Sequence, residues 1–278
     1  MKISEVISAL HEWHQPFQKK DTRDTVKWGD PDQECTGIVI TVCATVDVIR
    51  KAAELKANLI ISHESIFYGD EFALEDFGDD LILKEKQARL DSTGIVVWRD
   101  HDHMHGSGKP WVPERLQPDY IYYGIMKELG WDEYVFGDDP LKPTWYRIPE
   151  TTVEELAQLF LEKFGLTGLR YVGDPEAKVS TVYVCEHVTG QGNMMEKFQG
   201  GAKADVMIPL EINDWTLAAY VRDAAMLGHP KAILEMGHFN TEELGMKYML
   251  QWLPEAVGSD LPIHFVPAGD HFGYILKK

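Results

Sequence analysis

Short apolar, β-branched runs alternate with amphipathic stretches along this 278-residue chain. TGIVITVCA, ANLIISHES and GIVVWRD read as buried strands, each short and with no alternating polar face. Between them, VDVIRKAAELK and LILKEKQARLDSTG carry helical spacing, with Gly94 near the second stop. The pattern then repeats. VSTVYVCEHVTGQG, ADVMIPLE and KAILEMGHFNTE read as strands, with NMMEKFQGGAK and WTLAAYVRDAAMLG as helices between them. Strands that alternate with helices predict α/β layers with largely parallel pairing.

The remaining segments fit that frame. ISEVISALHEW has Ile3, Val6, Ile7, Leu10 and Trp13 at helical spacing, and the polar stretch to about residue 35 reads as a loop with an irregular strand. PDYIYYGIMKELG is a helix stopped by Gly130, and FGDDPLKPTWYRIPE (136–150) is the best linker. In TTVEELAQLFLEKFG, Thr152 and Glu155 have capping-box spacing and Gly165 sits at the stop. GLRYVGD is a short strand and turn, EELGMKYMLQWLPE a helix, and PIHFVPAG a closing strand.

The two halves align with each other. KANLIISHE (Lys56–Glu64) lies without a gap on KADVMIPLE (Lys203–Glu211), and IVVWRDHDHMH (Ile95–His105) lies on AILEMGHFNTE (Ala232–Glu242). His101 falls opposite His238, and His105 opposite Glu242. Any two α/β halves share apolar strands, but that alone does not put polar groups at the same strand ends. The expectation is a duplicated α/β unit, 1–135 and 136–278.

Composition narrows the function. Lys and Arg total 27 against 45 Asp and Glu, a formal charge of −18. Such a chain repels phosphate backbones and anionic membranes at long range, so no nucleic-acid or membrane partner is expected. No apolar run approaches the ~20 residues of a membrane helix. Cys35, Cys43 and Cys185 form no CxxC pair, and Cys43 and Cys185 lie within strand patterns as core residues. A soluble protein of the reducing cytoplasm is expected.

Ligands in open α/β sheets bind beyond the carboxyl ends of the strands. Three such ends here carry metal-binding groups: His63 and Glu64; His101, Asp102, His103 and His105; His238 and Glu242. His-x-x-x-His and His-x-x-x-Glu place both side chains on one face of a helical turn, where they can share one ion or bridge two. Imidazole with carboxylate suits Zn, Fe, Mn, Co or Ni. A lone histidine is usually structural, and His11, His14, His187, His229, His264 and His271 are read so. HDHMHG taken alone also fits an adventitious surface tract. The loop VTGQGN, with Gly190 and Gly192, fits a weak anion cradle or a plain tight turn. There is no Walker A, GxSxG or HExxH pattern.

These same segments resemble a known family. MKISEVISALHEW resembles its first helix, and VIRKAAELKANLIISHES its strand ending in a His-His pair. VVWRDHDHMHG resembles its strand followed by His-x-x-x-Asp, and AGDHFGYI its closing segment. ILEMGHFNTEE matches its most specific motif, Gly-His-x-x-(Ser/Thr)-Glu. The chain therefore resembles the Nif-three-like dinuclear-metal-centre hexameric proteins, often labelled GTP cyclohydrolase 1 type 2 homologs. The resemblance carries ligand positions onto His63, His101, His238 and Glu242. It departs at Glu64, where the family usually has a second His, and at His105, where it usually has Asp. The exchange roughly keeps ligand count and charge.

The resemblance implies a two-part α/β protomer, a toroidal homo-hexamer and two divalent metal ions facing an internal cavity. The leading expectation is a metal-dependent hydrolase acting on a nucleotide or other small molecule. His63, Glu64, His101, His105, His238 and Glu242 would be its ligands. Glu64, if it does not bind metal, would be the general base, and Asp100 and Asp102 would orient imidazoles. One alternative is a metal-stabilised oligomeric scaffold without turnover. Another is a metal-independent binding protein whose ligand sits at the Gly190 loop.

Overall fold

The computed structural model describes residues 1–17, 19–68, 78–106, 117–137, 139–185, 197–198, 203–258 and 260–277. The chain divides into two compact units, Met1–Ile125 with Glu243–Ala268, and Met126–Glu242 with Gly269–Lys278.

The first unit contains the strands β1 (Val26–Trp28), β2 (Ile38–Thr41), β3 (Leu59–Ser62), β4 (Val96–Arg99) and β10 (Ile263–Phe265). They form one sheet in the order β1-β4-β3-β2-β10. β10, β2, β3 and β4 are parallel, and β1 closes one edge antiparallel. Every residue of β2, β3 and β4 is buried, as uninterrupted apolar strands require. Val39, Ile60 and Val97 share a core with Val48, Ile49 and Ala52 of α2 (Val46–Glu54) and with Leu83 and Leu90 of α3 (Leu81–Thr93). Thr45 caps α2 by accepting from the Val48 N–H, and Gly94 ends α3 in the left-handed region that glycine tolerates. Helix α1 (Ile3–Trp13) buries Ile3, Val6, Ile7 and Leu10. After β4 come the single turn α4 (Asp102–His105) and α5 (Tyr120–Leu129).

The second unit repeats this plan. It contains β5 (Trp145–Thr152), β6 (Arg170–Val172), β7 (Lys178–Val184), β8 (Val206–Ile208) and β9 (Ala232–Glu235). The sheet order is β5-β7-β8-β9-β6. β7, β8 and β9 are parallel like β2, β3 and β4, and β6 lies antiparallel on β9 as β1 does on β4. Helices α6 (Val153–Phe164) and α7 (Ala219–Met226) complete it, with the first turn of α8 (His238–Val257), whose remainder belongs to the first unit. Thr152 and Glu155 form a capping box on α6, and Gly165 terminates it at φ +65.

Two features differ from the sequence expectation. The division is not a single cut near residue 136. Residues Glu243–Ala268 belong to the first unit, because β10 covers the open edge of β2 with Ile263, His264 and Phe265 opposite Ile38, Val39 and Ile40. The expected linker 136–150 also ends in β5 rather than in loop. β5 is an edge strand, and its pairing with β7 is irregular between Arg147 and Thr151, where Pro149 has no N–H to donate.

Candidate metal centre

In the first unit, β2, β3 and β4 end in register, with Thr41 beside Ser62 and Ser62 beside Arg99. The next residues on β3 and β4, His63 with Glu64 and Asp100 with His101, therefore leave the sheet side by side. His63 is fully buried, and its Nδ1 donates to the Asp100 carbonyl at 3.0 Å. That hydrogen bond selects the tautomer with its lone pair on Nε2. The His63 ring stacks on His101 at 4.6 Å between centroids and 19°, and His105 stands edge-on to both at 5.0 and 5.1 Å. His63, His101 and His105 each bring a potential ligand atom within 4.8 Å of the others.

The other two rings are oriented in the same way. His101 Nδ1 lies 3.3 Å from Asp102 Oδ1, and His105 Nδ1 lies 3.1 and 3.2 Å from the carboxylate of buried Asp119. Burial pushes the Asp102 carboxyl up. The hydrogen bond with His101 and those from Lys19 Nζ (2.7 Å) and the Arg23 N–H (2.9 Å) outweigh this and hold it well below the usual carboxylate range.

The turn carrying these histidines is anchored from a distance. Asp24 Oδ1 accepts from the backbone N–H groups of His101 and Asp102, and Asp24 Oδ2 from that of His103. A four-residue helix cannot satisfy its own first N–H groups, so the cap comes from elsewhere in the chain. Gly106 ends the turn. A Cβ there would lie 1.9 Å from the Asp102 carbonyl oxygen, so only glycine fits.

Glu64 is held by a guanidinium. Arg99, 1% exposed, donates to the His63 carbonyl at 2.9 Å and to Glu64 Oε2 at 3.0 Å. Glu64 Oε1 lies 4.0 Å from His101 Nε2.

The second unit carries its own group. Gly237 at φ +96 turns the chain from β9 into α8, and His238 is the first residue of that helix. Its Nδ1 lies 2.7 Å from Glu211 Oε1 and its Nε2 3.1 Å from Glu242 Oε2. Glu242 is buried one turn along α8. A cleft of about 260 Å³ opens at His238, lined by Phe239, Asn240, His271 and Phe272.

His63, Glu64, His101 and His105 thus come together in the first unit, and His238 and Glu242 in the second. Asp102 faces His101 through its carboxylate, whereas Asp100 reaches His63 through its carbonyl. Asp119, Asp24 and Glu211 were not singled out from sequence. For Glu211 the signal existed, since the internal alignment places it opposite Glu64. Gly190, Gly192 and His187 lie outside the described residues.

The donor set suits a divalent transition ion: three imidazoles in one group, and an imidazole with carboxylates in the other. No helix among the described residues is long and apolar enough to cross a membrane. A model of the family Duf34/NIF3 (NGG1p interacting factor 3) matches residues 1–97 and 125–270. A Clostridium perfringens protein called GTP cyclohydrolase 1 type 2 homolog is 26% identical over 270 residues, covering 94% of each chain. A Streptomyces coelicolor protein of the same description is also 26% identical, over 95% of this chain and 90% of its own. Among solved structures, a Staphylococcus aureus hypothetical protein superposes with a TM-score of 0.68 at 19% identity, covering 99% of both chains. A Bacillus cereus protein related to NIF3 does so at 0.64 and 16%, again covering 99% of both.

Proposed function

The chain belongs to the Duf34/NIF3 family, and from that premise we infer a divalent-metal-dependent hydrolase of GTP cyclohydrolase 1 type 2-like kind, acting on a nucleotide or other small substrate. The observation that carries this reading is the triad His63, His101 and His105, with a polar partner on each Nδ1. Imidazoles oriented from behind in this way are the ordinary arrangement of metal ligands. His238, backed by Glu211 and beside Glu242, supplies the ligands of a second ion. Bound divalent ions would supply Lewis acidity and a water activated near neutral pH.

The chain's own groups would do the rest. Arg99 fixes one oxygen of Glu64, and the other, on the His101 side, accepts a proton from the attacking water. The aromatic cleft at His238 takes an apolar or planar part of the substrate. We place the protein in the cytoplasm as a homo-hexamer; its buried free cysteines agree with a reducing compartment. The Arg99–Glu64 pair also favours a second reading, a metal-stabilised scaffold without turnover, since it occupies half of the proposed base.

Metal analysis tests the site. His63→Ala/His101→Ala and His238→Ala/Glu242→Ala are each expected to lose about one transition-metal ion per protomer relative to wild type. Unchanged metal content in both would overturn the reading. Hydrolysis of GTP and other nucleotides by wild type, abolished in either double variant, separates the enzyme from the scaffold.

A further inference from the structure

His-Asp-His-Met-His carries more histidine than one ion site uses. His101 and His105 are one helical turn apart and face the triad, and His103, midway between them, points elsewhere. It is buried, and its ring is stacked on Phe17 at 3.7 Å and on His11 at 4.9 Å. Its Nδ1 lies 2.5 Å from Asp24 Oδ2.

Asp100 is next to it and has no exposed surface. Among the described residues, neither of its carboxylate oxygens has a hydrogen-bond partner. Neither ring nitrogen of His14 has one either, although His14 is only 1% exposed and its Nε2 lies 3.4 Å from Asp100 Oδ2. Leaving a buried carboxylate without hydrogen bonds costs free energy, and such a group calls for an ion, a water or a proton. Among the described residues, no Lys or Arg is paired with Asp24 or Asp100; the imidazoles of His103 and His14 are their side-chain ion-pair partners, and His11 lies near enough to interact electrostatically with both.

We propose that Asp24, Asp100 and His103, with His14 beside them, form a further, fully buried site for a divalent transition-metal ion in the first unit. Potential ligand atoms of Asp24, Asp100 and His103 lie within 4.8 Å of one another. Metal–ligand bonds of about 2.0–2.2 Å close such a span with small side-chain rotations. Two carboxylates neutralise a doubly charged ion, and two imidazoles complete a four-coordinate set. The closed surroundings, with aromatic rings on His103, mark it as a structural rather than a catalytic ion. It would brace the turn that presents His101 and His105.

The test uses the chelator-treated full chain and zinc chloride. Crystals grown with saturating Zn2+ are expected to give an anomalous peak among Asp24, Asp100 and His103, separate from any peak at His63, His101 and His105. No peak there overturns the proposal, whether or not the triad is occupied. It would leave a buried His14–Asp100 ion pair as the explanation. In solution, a chain carrying His63→Ala, His101→Ala, His105→Ala and His238→Ala is expected to retain one tightly held zinc. Adding Asp100→Asn should release it. A quadruple variant that folds and binds no zinc also overturns the proposal. The crystallographic arm uses wild type, so it stands even where the variants fail to fold.

Discussion

His105 Nδ1 lies 3.1 Å from a carboxylate oxygen of Asp119, a residue 14 positions along the chain and just ahead of α5. Asp119 is fully buried, and it also accepts from the Tyr122 N–H at 3.3 Å. One carboxylate therefore both starts the helix and aims an imidazole. Asp119→Ala is expected to weaken metal binding at the triad by about 10–100-fold. Chelator competition measures this. Equal affinity in the variant would remove Asp119 from the site.

Asp24 makes a second long-range connection. Its carboxylate accepts three backbone N–H groups from consecutive residues, and hydrogen bonds to charged groups contribute about 1.5–3 kcal/mol each without adding fully. Asp24→Ala is expected to cost about 3 kcal/mol or more in urea denaturation. A loss under ~1 kcal/mol would mean that the turn is held by its other packing instead.

Lys86 gives a pH signature. It lies in α3, 3% exposed, with Nζ donating to the Ile66 carbonyl at 2.5 Å and sitting over the rings of Phe67 and Tyr68. Burial lowers its pKa below the usual lysine value of 10.5. Between the folded pKa and 10.5 the unfolded chain binds more protons, so this group's contribution to stability rises with pH in that window. At neutral pH the ammonium is a liability. Lys86→Met is expected to unfold at an equal or higher temperature than wild type at pH 7, with the difference turning toward wild type as pH approaches 10. A gap that is constant with pH would show that Lys86 titrates normally.

Gly245 sits where two helices of the first unit touch. A Cβ on it would lie 2.6 Å from the Ile121 Cα, and one on Gly124 would lie 2.9 Å from the Gly245 Cα. Both clashes are with backbone, so a helix must move. Gly245→Ala is expected to cost about 1–3 kcal/mol despite alanine's better helix propensity. Calorimetry would reveal a gain instead if the crossing is loose.

Cys43 ends the apolar run of β2 and is buried, and burial pushes its thiol up to about 11. At pH 8 only about one such thiol in a thousand is a thiolate. Iodoacetamide is expected to leave Cys43 unmodified in the native chain and to label it after unfolding, as read by peptide mass. Rapid native labelling would show that this strand end opens.

The strands were legible because β2, β3 and β4 are buried on both faces, and a strand buried on both faces is spelled as a plain apolar run. The duplication was legible for a related reason: both units keep the same order of parallel strands, so their ends recur at matching places. His63, His101 and His238 could be singled out because strand ends are fixed by the strands themselves. The linker was misread because Pro149 and its neighbours look like loop, whereas an edge strand tolerates a residue without an N–H.

Sequence by itself determined which residues sit at the strand ends, since strand length is a local property of an apolar run. Tertiary structure decided their partners. Asp24, Asp119 and Arg99 meet the histidine turns across long stretches of chain, and no periodicity encodes a contact made by one side chain at that separation. It also decided that His103 faces away from the triad and that the chain's last strand returns to β2. Each outcome depends on which buried polar group or open sheet edge remains to be satisfied once the rest has packed.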